Sequence, residues 1–367
     1  MIAPVPNPWI SAIQAYVPGS AKGGGHASPV KLSSNENPWG ASPLAIEAVK
    51  EAAAGSHRYP DGSAEVLRRK IAKLHGLNPD LVVCGTGSDE ILQLLPMIYC
   101  KPGDSVVHVN HGFMVYPIAA RRAGAEPLSA PDADYAADVD AILGTVREDT
   151  RIVFLANPNN PTGTMIPASE VARLHAGLRR DVLLVVDQAY AEYLDQADPD
   201  GGLALAQTTN NVLVTRTFSK IYGLGGLRVG WATGPAAIIR ELNRVRAPFP
   251  ISVPALAAAE AALDDQDFVA RCRAWNREQR TRLSDAIDRL GNKGFRAIPS
   301  EGNFVLMICP ETGPLRAELV HKGLAERGFI TRWLPGQGLP HAVRISVGTA
   351  DETGGVIGAL NDIAASA

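Results

Sequence analysis

The middle of this 367-residue chain alternates short apolar runs with stretches of helical spacing. The apolar runs are rich in β-branched residues and end at Gly, Pro, Asn or Asp, which is typical of buried strands. They predict strands at 81–84, 105–109, 151–156, 182–187 and 212–217. Apolar residues at helical spacing predict helices at 43–55, 63–75, 89–99, 115–123, 167–178 and 235–245. This alternation predicts an α/β domain whose mainly parallel sheet is flanked by helices.

The pattern changes beyond Pro248-Phe249-Pro250. A long helical stretch at 253–290 is followed by short β-rich runs at 295–298, 304–309, 330–333 and 342–347, which predict a smaller α+β domain. The first forty residues are rich in Gly, Pro, Ser and Asn and predict an irregular arm. We therefore predict an arm at 1–42 that packs with the small domain, a large domain at 43–247 and a small domain at 248–367.

Composition and charge exclude several classes of protein. Hydrophobic residues make up 46% and charged residues 20% of the chain, which indicates a globular protein with a sizeable core. The formal net charge of −3 lacks the basic footprint of nucleic-acid binding, so we expect no nucleic-acid partner. The uncharged run at 1–21 is interrupted by prolines and has no basic start, so we expect neither a signal peptide nor a membrane span.

The four cysteines are widely spaced, without a CxxC pair, which favours reduced thiols in a cytoplasmic protein. The eight histidines are scattered along the chain. His108 and His111 are three residues apart, and the sequence offers no third metal ligand near them. We therefore expect no metal site.

The ends of the predicted strands carry the candidate chemistry, because ligands of open α/β sheets bind outside the carboxyl ends of the strands. Gly85-Thr86-Gly87-Ser88-Asp89-Glu90 follows the first strand, and its small residues suit backbone N–H groups that converge on an anion at a helix N-terminus. Glu90 stands where a dinucleotide fingerprint needs Gly, so that motif fails. A plain turn with Ser88 or Asp89 as the helix cap remains the alternative.

Three further strands also end in polar side chains. The loop at 157–163, with two X-Pro steps, presents Asn160, and Asp187 ends an apolar strand three residues before Tyr190. Lys220 follows Ser219 after the last strand, where burial would lower its pKa and make the amine a usable nucleophile or base. Separately, each has an ordinary alternative: a structural loop, a helix cap and a solvated surface lysine.

Together, these groups match what pyridoxal 5′-phosphate requires. A lysine amine forms the Schiff base, an aspartate keeps the ring nitrogen protonated, and Asn and Tyr bond the ring hydroxyl. Ser219, Arg228 and backbone N–H groups suit the phosphate, and Arg228 follows a Gly-rich turn that can fold it back beside Ser219.

The chain resembles the fold-type I pyridoxal-phosphate aminotransferases of class II and, within them, the histidinol-phosphate aminotransferases. The resemblance runs over nearly the whole sequence. It is carried by Tyr16-Val17-Pro18-Gly19, Leu32-Ser33-Ser34-Asn35-Glu36-Asn37-Pro38, Arg58-Tyr59-Pro60-Asp61, Gly87-Ser88-Asp89-Glu90, Asn159-Asn160-Pro161-Thr162-Gly163, Asp187-Gln188-Ala189-Tyr190, Phe218-Ser219-Lys220, Gly226-Leu227-Arg228-Val229-Gly230, Glu301-Gly302-Asn303-Phe304-Val305 and Arg344-Ile345-Ser346-Val347-Gly348-Thr349.

The resemblance implies a role for each matching residue. Lys220 would be the Schiff-base lysine and would carry the proton between the substrate Cα and the cofactor. The other implied cofactor contacts are Asp187 at the pyridine nitrogen, Asn160 and Tyr190 at the ring oxygen, Ser219, Arg228 and the amides of Ser88 and Asp89 at the phosphate, and Phe113 on the ring face. Tyr59 would reach the cofactor phosphate of a second subunit, which implies a homodimer.

The implied reaction transfers the amino group of L-histidinol phosphate to 2-oxoglutarate, giving imidazole acetol phosphate and L-glutamate in histidine biosynthesis. Tyr16, Arg332 and Arg344, with Asn160, are the implied substrate contacts. An aromatic amino acid aminotransferase, a threonine-phosphate decarboxylase and a non-catalytic binding protein on the same fold remain alternatives.

Two positions depart from the motifs of many relatives. Gln188 stands where they have Glu, and His111-Gly112 stands where they have Pro-Thr before the stacking ring. We expect altered local bonding and retained chemistry at Gln188, and a retained stacking ring with a different turn at His111-Gly112.

Overall fold

The computed structural model describes residues 3–15 and 28–367. Its helices are α1 (Pro8–Ser11), α2 (Pro43–Ala53), α3 (Glu65–His75), α4 (Gly87–Tyr99), α5 (Val115–Arg122), α6 (Val139–Thr145), α7 (Ala168–Gly177), α8 (Gly202–Thr208), α9 (Ala236–Val245), α10 (Val253–Asp264), α11 (Gln266–Asp288), α12 (Ala317–Glu326) and α13 (Ala350–Ala365). Its strands are β1 (Val30–Lys31), β2 (Val82–Gly85), β3 (Ser105–Val109), β4 (Glu126–Ala130), β5 (Asp132–Ala133), β6 (Ala136–Ala137), β7 (Thr150–Ala156), β8 (Leu183–Asp187), β9 (Val212–Thr217), β10 (Gly230–Thr233), β11 (Arg296–Ile298), β12 (Phe304–Ile308), β13 (Phe329–Ile330), β14 (Arg332–Leu334) and β15 (Leu339–Ser346).

A seven-stranded sheet with the order β2-β10-β9-β8-β7-β3-β4 forms the centre of the large domain. Neighbouring strands from β9 to β4 run parallel, whereas β10 is antiparallel to both β2 and β9. Strands β2, β3, β8 and β9 are buried along their whole length because helices cover both faces of the sheet. The predicted α/β class with a mainly parallel sheet is confirmed.

Strand β10 was missed by the sequence pattern. It is four residues long and follows a Gly-rich turn, so its apolar run is too short to give a period. It occupies the gap between β2 and β9, and its backbone completes the ladder there. The predicted single helix at 253–290 is two helices, because Asp265 ends α10 and its side chain accepts the backbone N–H of Phe268 at the start of α11.

The small domain contains a four-stranded antiparallel sheet with the order β11-β12-β15-β14. Its core includes residues of α11, α12 and α13. In the arm, β1 pairs in parallel with β13, and the side chain of Leu32 is buried in the small-domain core.

The position of α10 bears on the domain boundary. Its buried face, including Ala255 and Ala259, joins the hydrophobic core beneath the large sheet, and so does Val269 near the start of α11. Leu283 and Ile287, near the end of α11, belong to the small-domain core. We therefore propose that the two domains meet within α11, later in the chain than the predicted boundary at 247/248.

Within residues 3–15 and 28–367, no helix combines the length and the apolar character that crossing a bilayer requires.

Candidate active site

A cavity of about 140 Å³ opens at the carboxyl ends of β7, β8 and β9. Polar loops follow these strands, so polar side chains lie at this edge of an otherwise apolar sheet. The cavity brings together nine of the predicted cofactor residues: Ser88, Asp89, Phe113, Asn160, Asp187, Tyr190, Ser219, Lys220 and Arg228.

Lys220 lies partly buried at this cavity, with its Nζ 5.6 Å from the centre of the Tyr190 ring. Burial lowers the pKa of Lys220 from 10.5 to about 8, and the positive charges of Arg344 and Arg228 act in the same direction. A lysine with this pKa has a far larger neutral fraction at neutral pH than a surface lysine. The amine is therefore suited to act as a nucleophile and as a base.

Asp187 is buried at the end of β8 and holds two hydrogen bonds from its neighbours. The Tyr116 hydroxyl donates to Oδ2 at 2.8 Å, and the Thr215 hydroxyl donates to Oδ1 at 3.0 Å. Burial raises the pKa of Asp187, while these two bonds oppose the rise. A buried carboxylate of this kind favours a cationic partner in the cavity, as a protonated pyridine nitrogen would be.

No sequence pattern pointed to Tyr116, whereas one did point to Thr215. Thr215 interrupts the apolar run of β9 and lies opposite Asp187 in the sheet register, so a pairing of β8 with β9 would have found it. Tyr116 comes from α5 and stacks on Phe154 at 4.6 Å between ring centres. Its approach to Asp187 depends on how α5 packs on the sheet.

Arg228, Ser219 and the N-terminus of α4 form the end of the cavity that suits a phosphate. Arg228 Nη1 donates to the Ser219 hydroxyl oxygen at 3.1 Å, and Thr217 donates to the same oxygen at 2.9 Å. Gly87 is required here, because a Cβ on it would lie 2.5 Å from Nη2 of Arg228 and its φ is +77°. A guanidinium, a hydroxyl and the first N–H groups of a helix are together a good set of phosphate donors.

Asn160 and Tyr190 also line the cavity, and each is hydrogen-bonded to a residue from outside the large domain. Arg344 Nη1 donates to Oδ1 of Asn160 at 2.6 Å, so the amide nitrogen of Asn160 is left to donate elsewhere. Arg344 Nη2 donates to the backbone carbonyl of Ser33 at 2.8 Å. Asn35 Nδ2 donates to the Tyr190 hydroxyl oxygen at 3.0 Å, which leaves the hydroxyl proton of Tyr190 for another acceptor.

The remaining predicted residues lie apart from the cavity. Arg332 lines a separate cavity of about 300 Å³ together with Gln14 and Met114. Tyr59 is 82% exposed and stacks on Phe249 at 4.6 Å between ring centres. The prediction for Tyr16 lies outside the described residues.

The two departures from the family motifs have defined partners. Gln188 is buried, accepts a hydrogen bond from Nε of Arg216 at 2.8 Å and donates to the carboxylate of Asp200. His111 Nδ1 lies 2.6 Å from Oδ2 of Asp132, in the strand β5. Both side chains are therefore fixed by specific partners in this structure.

Comparison with known proteins places the chain in a family. Residues 27–360 match the model of the family described as aminotransferase class I and II. The chain is 54% identical to a histidinol-phosphate aminotransferase of Erythrobacter litoralis, over 94% of this chain and 93% of the relative. A relative with the same name from Sphingopyxis alaskensis is 51% identical, over 97% of this chain and 96% of the relative.

Solved structures agree with these matches. The crystal structure of histidinol-phosphate aminotransferase from Sinorhizobium meliloti in complex with pyridoxal-5′-phosphate superposes with a TM-score of 0.87 at 26% identity and covers 98% of this chain and 97% of that one. An aspartate aminotransferase of Thermus thermophilus superposes with a TM-score of 0.78 at 23% identity, which is a likeness of fold. The chain belongs to the aminotransferase class I and II family.

Proposed function

We propose that this chain transfers the amino group of L-histidinol phosphate to 2-oxoglutarate, forming imidazole acetol phosphate and L-glutamate in histidine biosynthesis. The observation that carries the proposal is the meeting of Lys220, Asp187 and Arg228 in one cavity. A lysine of lowered pKa, a buried carboxylate and a phosphate-binding guanidinium have their common use in pyridoxal-phosphate chemistry.

The cofactor of this family is pyridoxal 5′-phosphate, and the residues of the cavity fit it. Arg228, Ser219 and the N-terminus of α4 suit its phosphate, and Asp187 suits its ring nitrogen. Asn160 and Tyr190 would bond the ring oxygen, and Phe113 would contact the ring face. When bound, the cofactor withdraws electrons from the substrate Cα and so makes its hydrogen acidic.

The side chains at the cavity would move the proton, hold the charge of the cofactor ring and bind the substrate. Lys220 Nζ would take the proton from the substrate Cα and carry it to the cofactor, which its pKa of about 8 allows near neutral pH. Asp187, fixed by Thr215 and Tyr116, would keep the positive charge on the ring nitrogen. Arg344 would bind an anionic group of the substrate while it orients Asn160.

The substrate assignment rests on the relatives and on the placement of Arg332. Relatives that are 46–54% identical over nearly the whole chain are named histidinol-phosphate aminotransferase. Arg332 supplies a guanidinium to the second cavity, which Gln14 and Ala15 of the arm also line, and Tyr16 follows them in sequence. We propose that Arg332 and Tyr16 bind the phosphate of histidinol phosphate.

We further propose that the enzyme is a cytoplasmic homodimer. Tyr59 and Phe249 form an exposed aromatic pair, and a second subunit would bury it while Tyr59 reaches the neighbouring cofactor. Light scattering of the purified protein tests this, and a monomer would contradict it. The four cysteines are free, which fits a reducing compartment.

Growth and substrate tests address the function directly. The gene should rescue a histidine-requiring strain that lacks its own aminotransferase, and a Lys220→Ala control should not. Purified enzyme should turn over histidinol phosphate in preference to phenylalanine or threonine phosphate. Preference for either of the other two would redirect the substrate assignment, and a purified protein without cofactor absorbance would contradict the whole proposal.

A further inference from the structure

A buried carboxylate that does not line the cofactor cavity is hydrogen-bonded to residues just after two of the strands that end at this cavity. Asp200 has no exposed surface and lies just before α8. Its Oδ2 accepts a hydrogen bond from Nδ2 of Asn157 at 3.0 Å, and Asn157 is the first residue after β7. Its Oδ1 accepts from the backbone N–H of Gly202 at 3.0 Å and from Nε2 of Gln188, the residue directly after Asp187. Asp200 therefore holds the chain just beyond both β7 and β8.

The amide of Asn157 has a fixed orientation. Its Oδ1 accepts the backbone N–H of Ile166 at 2.9 Å, and its Nδ2 donates to the carbonyl of Ile166 at 3.0 Å as well as to Asp200. A flip of this amide would break both bonds to Ile166. Asn157 therefore requires an acceptor at position 200.

The amide of Gln188 is fixed in the same way. Its Oε1 accepts from Nε of Arg216 at 2.8 Å, so its Nε2 faces Asp200, with Oδ1 of Asp198 a further 3.4 Å contact. Gly202 leaves room for this amide, because a Cβ at position 202 would lie 2.9 Å from Nε2. Gln188 therefore also requires an acceptor at position 200. An amide in place of the Asp200 carboxylate has only one acceptor oxygen, so it would accept a hydrogen bond from either Asn157 or Gln188 but not from both.

We propose that Asp200 is a positioning residue for the cofactor site, and that its carboxylate holds Asn157 and Gln188 so that Asn160 and Asp187 face the cofactor together. Asp200 does not line the cavity, so it acts through the two amides. The proposal rests on the cofactor binding that the proposed function requires. The proposal also explains why position 188 carries the amide of Gln188, because a carboxylate there would face the carboxylates of Asp198 and Asp200.

The test compares the wild-type protein with Asp200→Asn, Gln188→Glu and the double variant Gln188→Glu/Asp200→Asn. Asp195→Asn is the matched control, since it makes the same change on the same segment at an exposed carboxylate that pairs with Arg277. The measurements are the dissociation constant of pyridoxal 5′-phosphate, from a spectral titration of the cofactor-free protein, and the melting temperature of that protein.

We expect Asp200→Asn to weaken cofactor binding by about tenfold or more, because one amide loses a hydrogen bond to a charged acceptor. Gln188→Glu should weaken it further, since it brings like charges together in a buried site. The double variant should bind several-fold better than Gln188→Glu alone, because the new carboxylate at 188 accepts from the new amide at 200. Asp195→Asn should stay within about twofold of wild type, since an exposed ion pair contributes little.

Two results would overturn the inference. One is an Asp200→Asn protein that melts earlier but binds the cofactor as tightly as Asp195→Asn does, which would make Asp200 purely structural. The other is a double variant that binds no better than Gln188→Glu. If neither Gln188→Glu nor the double variant folds, the cofactor affinity of Asp200→Asn compared with that of Asp195→Asn decides whether the proposal holds. A wild-type protein that does not bind pyridoxal 5′-phosphate would instead contradict the proposed function.

Discussion

Lys220 should destabilise the cofactor-free protein at neutral pH, and Lys220→Met should relieve that cost. The folded protein lowers the pKa of Lys220 from 10.5 to about 8. At pH 7 the amine is protonated in both the folded and the unfolded state, so the decrease is a cost of about 3 kcal/mol to the folded state, at about 1.36 kcal/mol per pH unit. Methionine has a similar length and no charge, so Lys220→Met should raise the free energy of unfolding by about 2–3 kcal/mol at pH 7.

The pH dependence has a definite sign. Between pH 8 and 10.5 the folded protein loses the proton of Lys220 while the unfolded chain keeps it, so the wild type gains stability from this group. The difference between Lys220→Met and wild type should therefore be fully present below pH 8 and should close as the pH approaches 10.5.

Urea unfolding of both cofactor-free proteins at pH 7 and pH 10 measures this difference. Lys50→Met is the matched control, because Lys50 is an exposed lysine on α2 whose removal should change stability little at either pH. A difference between Lys220→Met and wild type below about 1 kcal/mol at pH 7, or one that is unchanged at pH 10, would refute the reasoning.

Three further substitutions probe the site. Asp187→Asn should lower kcat by about 100-fold or more in steady-state assays, since the amide cannot hold the ring nitrogen protonated; near-normal kcat would contradict this. Thr215→Val removes one of the two hydroxyl donors to Asp187 and should cost about 1.5–3 kcal/mol in kcat/KM, whereas an unchanged value would make Thr215 incidental. Arg344→Gln should raise KM for the amino donor by about tenfold or more. A loss of cofactor affinity with an unchanged KM would mean that Arg344 only orients Asn160 and does not bind substrate.

Much of the large domain was predictable because its strands are fully buried. A strand covered on both faces is a continuous apolar run, and strands β3 and β9 were predicted with the bounds that the structure has. The helices of the small domain after 290 were not predicted. Helix α13 begins with a capping box of Thr349 and Glu352, which is visible in the sequence as a threonine followed three residues later by a glutamate.

The candidate site divides in a similar way. Residues at strand ends, such as Asp187 and Lys220, were predictable because a polar residue that follows an apolar run can be recognised from the sequence alone. Asp200 and Asn35 were not assigned a role, because each acts through a hydrogen bond to a residue far along the chain: Asn35 reaches Tyr190, and Asp200 reaches Asn157.

The sequence by itself determined the class of fold, the cofactor chemistry and the residues that end the parallel strands, since local pattern encodes burial and the order of elements. Only the tertiary structure decided that β10 runs antiparallel within the sheet, that α10 packs with the large domain and that Asp200 links two strand ends. These features depend on which surfaces meet after the chain has collapsed. A hydrogen bond between residues distant in sequence, such as Tyr116 to Asp187, leaves no periodic trace along the chain.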